Sequence, residues 1–565
     1  MRGRPHPDGG PGHGQGVARS QTALTGAACH ARRGNSAGQA GSIVTEQSAL
    51  FGRIRSFAAP RDIESAEEAG RRIAVIDVGS NSVRLVVFDG IARSPAYFFN
   101  EKVLCGLGRG VSETGRLNPD GVARARVTLR RFAELAVRMH VSALEAVATA
   151  AVRDAEDGRQ FVAQIEQETG IRIRIATGAE EARLSAQGVL LGRPGAEGLV
   201  ADIGGVSMEL GRIAGGRVLS GVTTPLGPFP LRDTGLKGRT LADWIDDRLE
   251  AAAERVPGPV PELFLVGGAW RALARVHMAR HGYPLSVLHE YRMAPDDLAA
   301  EALRITAETP DELVALSRIS RSRAENLPLN ALVLHRALAV LRPARVSLSI
   351  FGLREGVLWD HLGPEDRARD PLIEACRFTE TSRARFPGFG QTLFDWLRPV
   401  LDDFAPRERR LALAACLLHD VNWRIHPDFR PMMGFETMIR ALSGGIDHKG
   451  RVFVGLALYY RYSSSRSGRP VPEVLGLLDR TAQAHAERLG RAMRLGAMLS
   501  ASTDGLEEAL LDIVDGKLRL VLQGGMRDLA GEVVEKRLAG LARVIQLAPE
   551  LVCDGEVERR SMSGA

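Results

Sequence analysis

Lysine is scarce in this 565-residue sequence: Lys102, Lys237, Lys449, Lys517 and Lys536 are the only five among 74 basic residues, and the rest are arginines. No G-x-x-x-x-G-K-[ST] run exists, so a P-loop nucleotide hydrolase is excluded. Cysteine is scarce too. Cys29, Cys105, Cys376, Cys416 and Cys553 are odd in number and far apart, with no C-x-x-C pair. That pattern indicates neither a disulfide framework nor a thiolate zinc site, and it fits a reduced, cytoplasmic chain. No run approaches 18 uninterrupted apolar residues, so no membrane-spanning helix is expected. The charge excess is only +6, too little for so long a chain to imply a nucleic-acid polymer as partner.

What is present is an ordinary globular composition, 45% hydrophobic and 25% charged, with length enough for three to four domains. Arginine in place of lysine is what a GC-rich genome produces. It also makes a polyanionic ligand physically comfortable, because guanidinium grips phosphate in a bidentate way. Residues 1–41 carry ten glycines among Arg, His, Pro and Gln. They have no secretory pattern and too little apolar surface to order, so residues 1–70 are expected to be a disordered extension.

Order begins at Arg71. Residues 73–77 (IAVID) and 83–88 are apolar strands around a Gly-Ser-Asn turn, which predicts a hairpin. Strands near Val103, at 143–149 and at 171–176 alternate with helices at 119–139 and 157–170, the pattern of an α/β layered fold. A second hairpin follows at 199–213, then a helix at 240–254 and a strand at 263–266 before Gly267-Gly268. The order strand, Asp, glycine turn, Ser, strand thus occurs twice, and an internal repeat of this kind predicts two lobes. After about Asp360 the pattern turns helical up to residue 548, with a strand-like segment at 517–522 and a frayed end beyond.

Each hairpin turn carries chemistry. In the first, Asp77, Gly79, Ser80, Asn81 and Ser82 present hydroxyls and backbone N–H groups with little steric cover, a nest suited to phosphate oxygens. The Asp at the strand end can hold a metal or a water beside the anion. In the second, Asp202, Gly204, Gly205 and Ser207 repeat the design and Glu209 adds a carboxylate. One such turn is ordinary hairpin chemistry. Two in one chain predict a cleft that grips a phosphate-bearing ligand from both sides.

Residues 73–90 (IAVIDVGSNSVRLVVFDG), 149–155 (TAAVRDA), 177–183 (TGAEEAR), 201–210 (ADIGGVSMEL) and 349–358 (SIFGLREGVL) together resemble the exopolyphosphatase / guanosine pentaphosphate phosphohydrolase family. The resemblance implies an actin-like (ribonuclease H-like) lobe at 71–198, a second at 199–360 and an all-α, HD-like domain at 371–548. It implies hydrolysis of terminal phosphoanhydride bonds of inorganic polyphosphate or guanosine pentaphosphate with Mg2+, and a homodimer. Matched position by position, Glu181 is the catalytic base, Arg153 the guanidinium that offsets charge on the transferring phosphate, and Asp202 and Glu209 the carboxylates near magnesium. Val206 departs from the family's third glycine, and a β-branched residue there demands a turn without positive φ. Trp270-Arg271 departs from the hydroxyl-bearing turn expected after Gly267-Gly268, which weakens a ligand contact there. Arg354 and Glu355 read as a structural ion pair. In the helical part, His419-Asp420, His426, Asp428 and Asp447-His448 lack the further histidine a metal-dependent HD site needs, so a non-catalytic scaffold is expected. Arg461, Arg466 and Arg469 are candidates for a polymer channel. A non-hydrolysing alarmone sensor and an actin-like ATPase or sugar kinase are the competing classes. Glu181 and Arg153 speak against the first, and the segments around Glu181 and Arg354 against the second.

Overall fold

The computed structural model describes residues 72–464, 468, 470–499 and 505–553. The expected extension at 1–70, Arg466, Arg469 and the end beyond 553 lie outside the described residues. Two sheets built to one plan dominate the first 300 of these. In the first, β1 (Ile73–Val78), β2 (Ser82–Phe88) and β3 (Tyr97–Leu104) form an antiparallel meander, while β4 (Ala143–Ala148) and β5 (Ile173–Ile175) add in parallel on the other side of β1. The order is β3-β2-β1-β4-β5.

The second sheet repeats this with β6 (Gly198–Ile203), β7 (Met208–Ala214) and β8 (Arg217–Thr224) as the meander, and β9 (Leu263–Val266) and β11 (Val346–Leu348) as the parallel strands. A short β10 (Arg292–Met293) pairs antiparallel at its edge. β1 and β6 are apolar at nearly every position because each is central in its sheet and covered on both faces. This is the actin-like fold, and the internal repeat seen in the sequence is the two sheets.

Two helices lie between the sheets and share one apolar core with both. They are Gly178–Gly192, which carries the chain from β5 to β6, and Leu353–His361, which follows β11. Their backbones touch. A Cβ placed on Gly188 would fall 2.1 Å from the Gly352 carbonyl oxygen, and one on Gly356 would fall 1.8 Å from that of Leu184. Each helix begins at the cleft, so the first turn of one presents Glu181 and that of the other Arg354.

The last region is helical from Pro371, but it is not all-α. β12 (Ala509–Val514) and β13 (Lys517–Leu522) form a hairpin, and β14 (Ala548–Cys553) pairs parallel to β13. Asp515-Gly516 is the two-residue turn, with φ of 50° and 72°, and Asp-Gly is a strong short-range hairpin signal. The sequence reading registered β13 alone, and it assigned the residues of β14 to the helical end and the tail. β14 is short and partly exposed, so periodicity marks it weakly.

Candidate active site

The two hairpin turns face each other across one cavity of about 540 Å³. Gly79 and Gly204 close their turns with N–H bonds to the Ser82 and Ser207 carbonyls, at 3.0 and 2.8 Å. The amides of Ser80, Asn81, Gly205 and Val206 donate to no acceptor among the described residues. Four backbone donors are therefore left to an anion. The turns nearly touch: a Cβ on Gly205 would lie 3.4 Å from Cβ of Ser80, and Cγ2 of Val206 borders the same glycine, Gly108, as Ser80 does. Val206 keeps a negative φ, as do Gly79, Gly204 and Gly205, so the valine fits without strain.

Asp77, Gly79, Ser80, Asn81, Ser82, Glu181, Asp202, Gly204, Gly205, Ser207 and Glu209 all line this cavity. Arg153 is not in its wall but reaches Glu181. Its Nη1 donates to Glu181 Oε2 at 2.9 Å while its Nε donates to Asp154 at 3.0 Å.

Glu181 is aimed inward by a division of labour within the first turn of its helix. Thr177 caps that helix, accepting from the Glu180 amide, and the Glu180 carboxylate accepts from the Thr177 N–H in return. Glu180 also pairs with Arg174 at 3.2 Å, so it is a capping residue and stands outside the cavity. The next carboxylate, Glu181, is buried, which pushes it up to about 7 against the pull of Arg153. Glu209, fully enclosed and beside Glu181, is pushed well above the usual carboxylate range, and burial raises Asp202 and Asp77 as well.

Strand register explains the rest. Asp77 stands opposite Arg84, and Arg84 opposite Lys102. At the equivalent places of the second sheet Asp202 stands opposite Glu209, and Glu209 opposite Thr223. The lobes are thus the same in backbone and opposite in charge. The first offers one carboxylate and two cations, the second two carboxylates and a hydroxyl. Thr223 Oγ1 donates to Glu209 at 2.9 Å, and Ser185 Oγ donates to Asp202. Gly267, at φ 109°, leaves room for Asp202, since a Cβ there would lie 2.8 Å from its Oδ1.

Five cations line the same cavity and were not foreseen as ligands: Arg84, Lys102, Arg271, Arg323 and Arg354. Arg354 keeps the expected pairing with Glu355 and adds a second partner in the cavity. Its Nη1 donates to Asp77 Oδ2 at 3.2 Å, whereas its Nε stands 4.0 Å from Glu355, which is fully buried and accepts from the Tyr97 hydroxyl at 2.7 Å and the Gly352 amide at 2.8 Å. Arg271, on the helix after Gly267, also faces the ligand space, so the departure at that turn replaces a hydroxyl with a guanidinium. Burial and the neighbouring Arg354 and Arg84 lower it to about 10. The available signal was a charge inside a buried apolar strand (Arg84 in SVRLVVF) and one of five lysines in the strand beside it.

Asp202, half-buried, and Glu209, buried, offer only hard oxygens and face no described cation partner within ion-pair distance, which is the donor chemistry of magnesium. No group of three His, Cys, Asp or Glu among the described residues is arranged to cage a metal. Magnesium accepts that, since it takes one or two carboxylates and completes its shell with water and phosphate oxygens.

The histidines and aspartates of the helical region do not converge. Asp420 is bound by Arg385 through Nη2 at 2.6 Å and Nε at 2.9 Å, and His419 Nδ1 bonds the Cys416 carbonyl oxygen. His426 and Asp428 are exposed, and Asp447 caps the helix His448–Tyr462.

Residues 72–365 match the Ppx/GppA phosphatase family. This chain belongs to that family. It is a phosphoanhydride hydrolase. Residues 372–552 of this Ppx/GppA chain match the family described as exopolyphosphatase, C-terminal. It is similar to exopolyphosphatase 2 of Mycobacterium tuberculosis, 30% identical over 291 residues that cover 48% of this chain and 91% of the relative. Among solved structures it is similar to a Ppx/GppA family member of Aquifex aeolicus, at 26% identity over 51% of this chain and 96% of that one with a TM-score of 0.45. It is also similar to an exopolyphosphatase of Cytophaga hutchinsonii, at 24% identity over 51% and 97% with a TM-score of 0.47.

Titration of this phosphatase should follow two of these groups. A general base at Glu181, the position the resemblance assigns, works only when ionised, so with that role kcat/KM for the free enzyme is expected to fall as the pH drops below about 7. Lys102, exposed as a residue but partly desolvated beside the cavity and repelled by Arg323, Arg84 and Arg271, is lowered to about 8 and loses its charge above that. Its side chain still has open surface, which makes it the softer limb. A narrow bell results. Lys102→Arg should move the alkaline limb upward and leave the acid limb in place, and pH–rate profiles of the two proteins check it.

Proposed function

We propose that this chain is an exopolyphosphatase that removes orthophosphate from the end of inorganic polyphosphate. One observation carries the choice of substrate. A second space of about 390 Å³ adjoins the cavity and shares Arg84, Arg271 and Arg354 in its wall. Arg275, Arg440 and Arg451 join those three in its lining, and no Asp or Glu does. A space with six guanidiniums and no carboxylate suits a ligand that is charged along its whole length.

The reaction follows from the chain's own groups. The end phosphate sits on the amides of Ser80, Asn81, Gly205 and Val206 and on the hydroxyls of Ser80 and Ser207. Arg84, Lys102 and Arg354 hold the units behind it. Glu181 takes a proton from a water aimed at the terminal phosphorus. The water oxygen bonds to that phosphorus as the bridging P–O bond breaks, and the electron pair leaves with the shortened chain. Arg153 keeps Glu181 oriented and shares its charge. Magnesium held by Asp202 and Glu209 would neutralise oxygens of the transferring group.

A guanosine pentaphosphate hydrolase is the second reading, favoured by Phe229 in the cavity wall, whose ring offers a face on which a base can stack. The two separate in one experiment. With both substrates in the assay, kcat/KM is expected to favour long-chain polyphosphate, and Arg275→Gln with Arg440→Gln should raise KM for long chains roughly tenfold while tripolyphosphate is unaffected. A preference for the guanosine compound that Phe229→Ala abolishes would reverse the assignment.

A further inference from the structure

Elsewhere among the described residues, arginines with a buried unpartnered Nε (Arg126, Arg354 and Arg451) still place another guanidinium nitrogen on an acceptor. Arg212 donates to the carbonyls of Val256, Gly258 and Pro259, Arg93 to those of Leu190, Leu191 and Arg369, and Arg451 to those of Ala441 and Ser443. Three arginines of the C-terminal region break the pattern. Arg461 ends the helix His448–Tyr462, Arg494 lies on Arg480–Leu499 and Arg537 on Glu532–Val544. None makes a hydrogen bond or ion pair with any described residue, and Arg461 Nε, Arg494 Nη1 and Arg537 Nε are buried without a partner.

Arg461 has 6% of its surface exposed; the face of the Tyr462 ring lies 5.0 Å from its guanidinium, and the carboxylate that acts on its charge, Asp420, makes no hydrogen bond to it. The three helices pack on one another, the second against both others; burial lowers Arg494 to about 10, with Arg537, Arg461 and Arg491 adding to the effect, and Arg537 acts in the same sense on Arg461. The nearby carboxylates are already engaged, Asp420 by Arg385 and Glu487 by Arg491 at 2.8 Å. The helices cannot spread to relieve this. Gly490 brings the second against the first so closely that a Cβ there would lie 2.5 Å from the Ala457 carbonyl oxygen.

Desolvated like charges with unused donors are costly unless an anion completes them. We propose that Arg461, Arg494 and Arg537 form an oxyanion site that takes a phosphate group, separate from the hydrolytic cavity. None of the three lines that cavity or the arginine-rich space beside it. The site does not depend on which phosphoanhydride the enzyme cleaves. Guanidiniums from three helices suit a tetrahedral oxyanion, and two sources supply one here: free orthophosphate, the product of hydrolysis, and a phosphoryl unit of a bound polymer.

The test uses the full chain at constant ionic strength set with chloride. Orthophosphate is titrated calorimetrically into the wild type, Arg461→Met and the half-buried double variant Arg494→Gln/Arg537→Gln. If free orthophosphate is the ligand, the wild type binds two per chain and each variant one. If a polymer unit is the ligand, the stoichiometry is unchanged, but KM for long-chain polyphosphate rises roughly tenfold in both variants. Tripolyphosphate hydrolysis is retained in either case. Without phosphate, the double variant should melt no lower than the wild type, because it removes mutual repulsion. Unchanged stoichiometry together with unchanged KM overturns the proposal, as does a lower melting temperature of the double variant, which is what a purely structural role would give.

Discussion

Glu181→Gln is expected to leave polyphosphate bound and almost unhydrolysed. Glutamine keeps the shape and can still face Arg153, but it cannot take the proton from water, and loss of a positioned base typically costs about 10²–10⁴-fold in kcat. Binding should survive because the phosphate contacts lie elsewhere, on the hairpin amides and on Arg84, Lys102 and Arg354. The same variant carries a stability signature. A carboxyl held at about 7 in the folded protein ionises near 4.3 when unfolded. Its charge therefore destabilises the fold progressively as the pH rises from about 4.3 to 7, and fully above that. Glu181→Gln removes this cost, so its melting temperature should exceed that of the wild type at pH 8 and the difference should shrink at pH 5. An inactive variant that is also less stable at pH 8 would mean that the carboxylate is a structural partner of Arg153 and not a base.

Much of this site was legible because its parts are local. A hairpin turn with its flanking Asp and Ser occupies six to eight consecutive residues, and the repetition of that pattern at Asp77 and Asp202 announced two lobes and a shared ligand. Glu181 was legible through its segment, and the structure adds why it differs from Glu180: one residue of helix rotation turns one carboxylate to the cap and the other to the cavity. The place of Arg354 in the cavity was not legible. Its pairing with Glu355 is local and present, at 4.0 Å, but its second partner, Asp77, is 277 residues away. Nor was the opposition of charge between the lobes, which requires knowing that Arg84 and Glu209 occupy equivalent cross-strand places. The three-stranded sheet of the last region escaped because β14 joins β13 only after an intervening helix, a pairing that no window of consecutive residues contains.

The largest effect expected away from the chemistry is at Gly356. Added methyls in a packed interior cost about 1–3 kcal/mol and occasionally more, and here the obstacle is backbone, the Leu184 carbonyl oxygen at 1.8 Å from the new Cβ. Backbone cannot rotate aside as a side chain can, so the crossing helices must separate. Gly356→Ala should therefore lose about 3 kcal/mol or more, roughly 6–12 °C in melting temperature for a unit of this size. It should also impair catalysis, although it touches no ligand. Glu181 rides on the first turn of one helix and Arg354 on the first turn of the other, so a shift at the crossing moves these two residues of the cavity wall relative to one another. Productive geometry tolerates about 0.5 Å of error in such a constellation. A fall in kcat at temperatures where Gly356→Ala is still fully folded would place the setting of the active site in this contact between helices, and an unchanged kcat under those conditions would confine the glycine to stability.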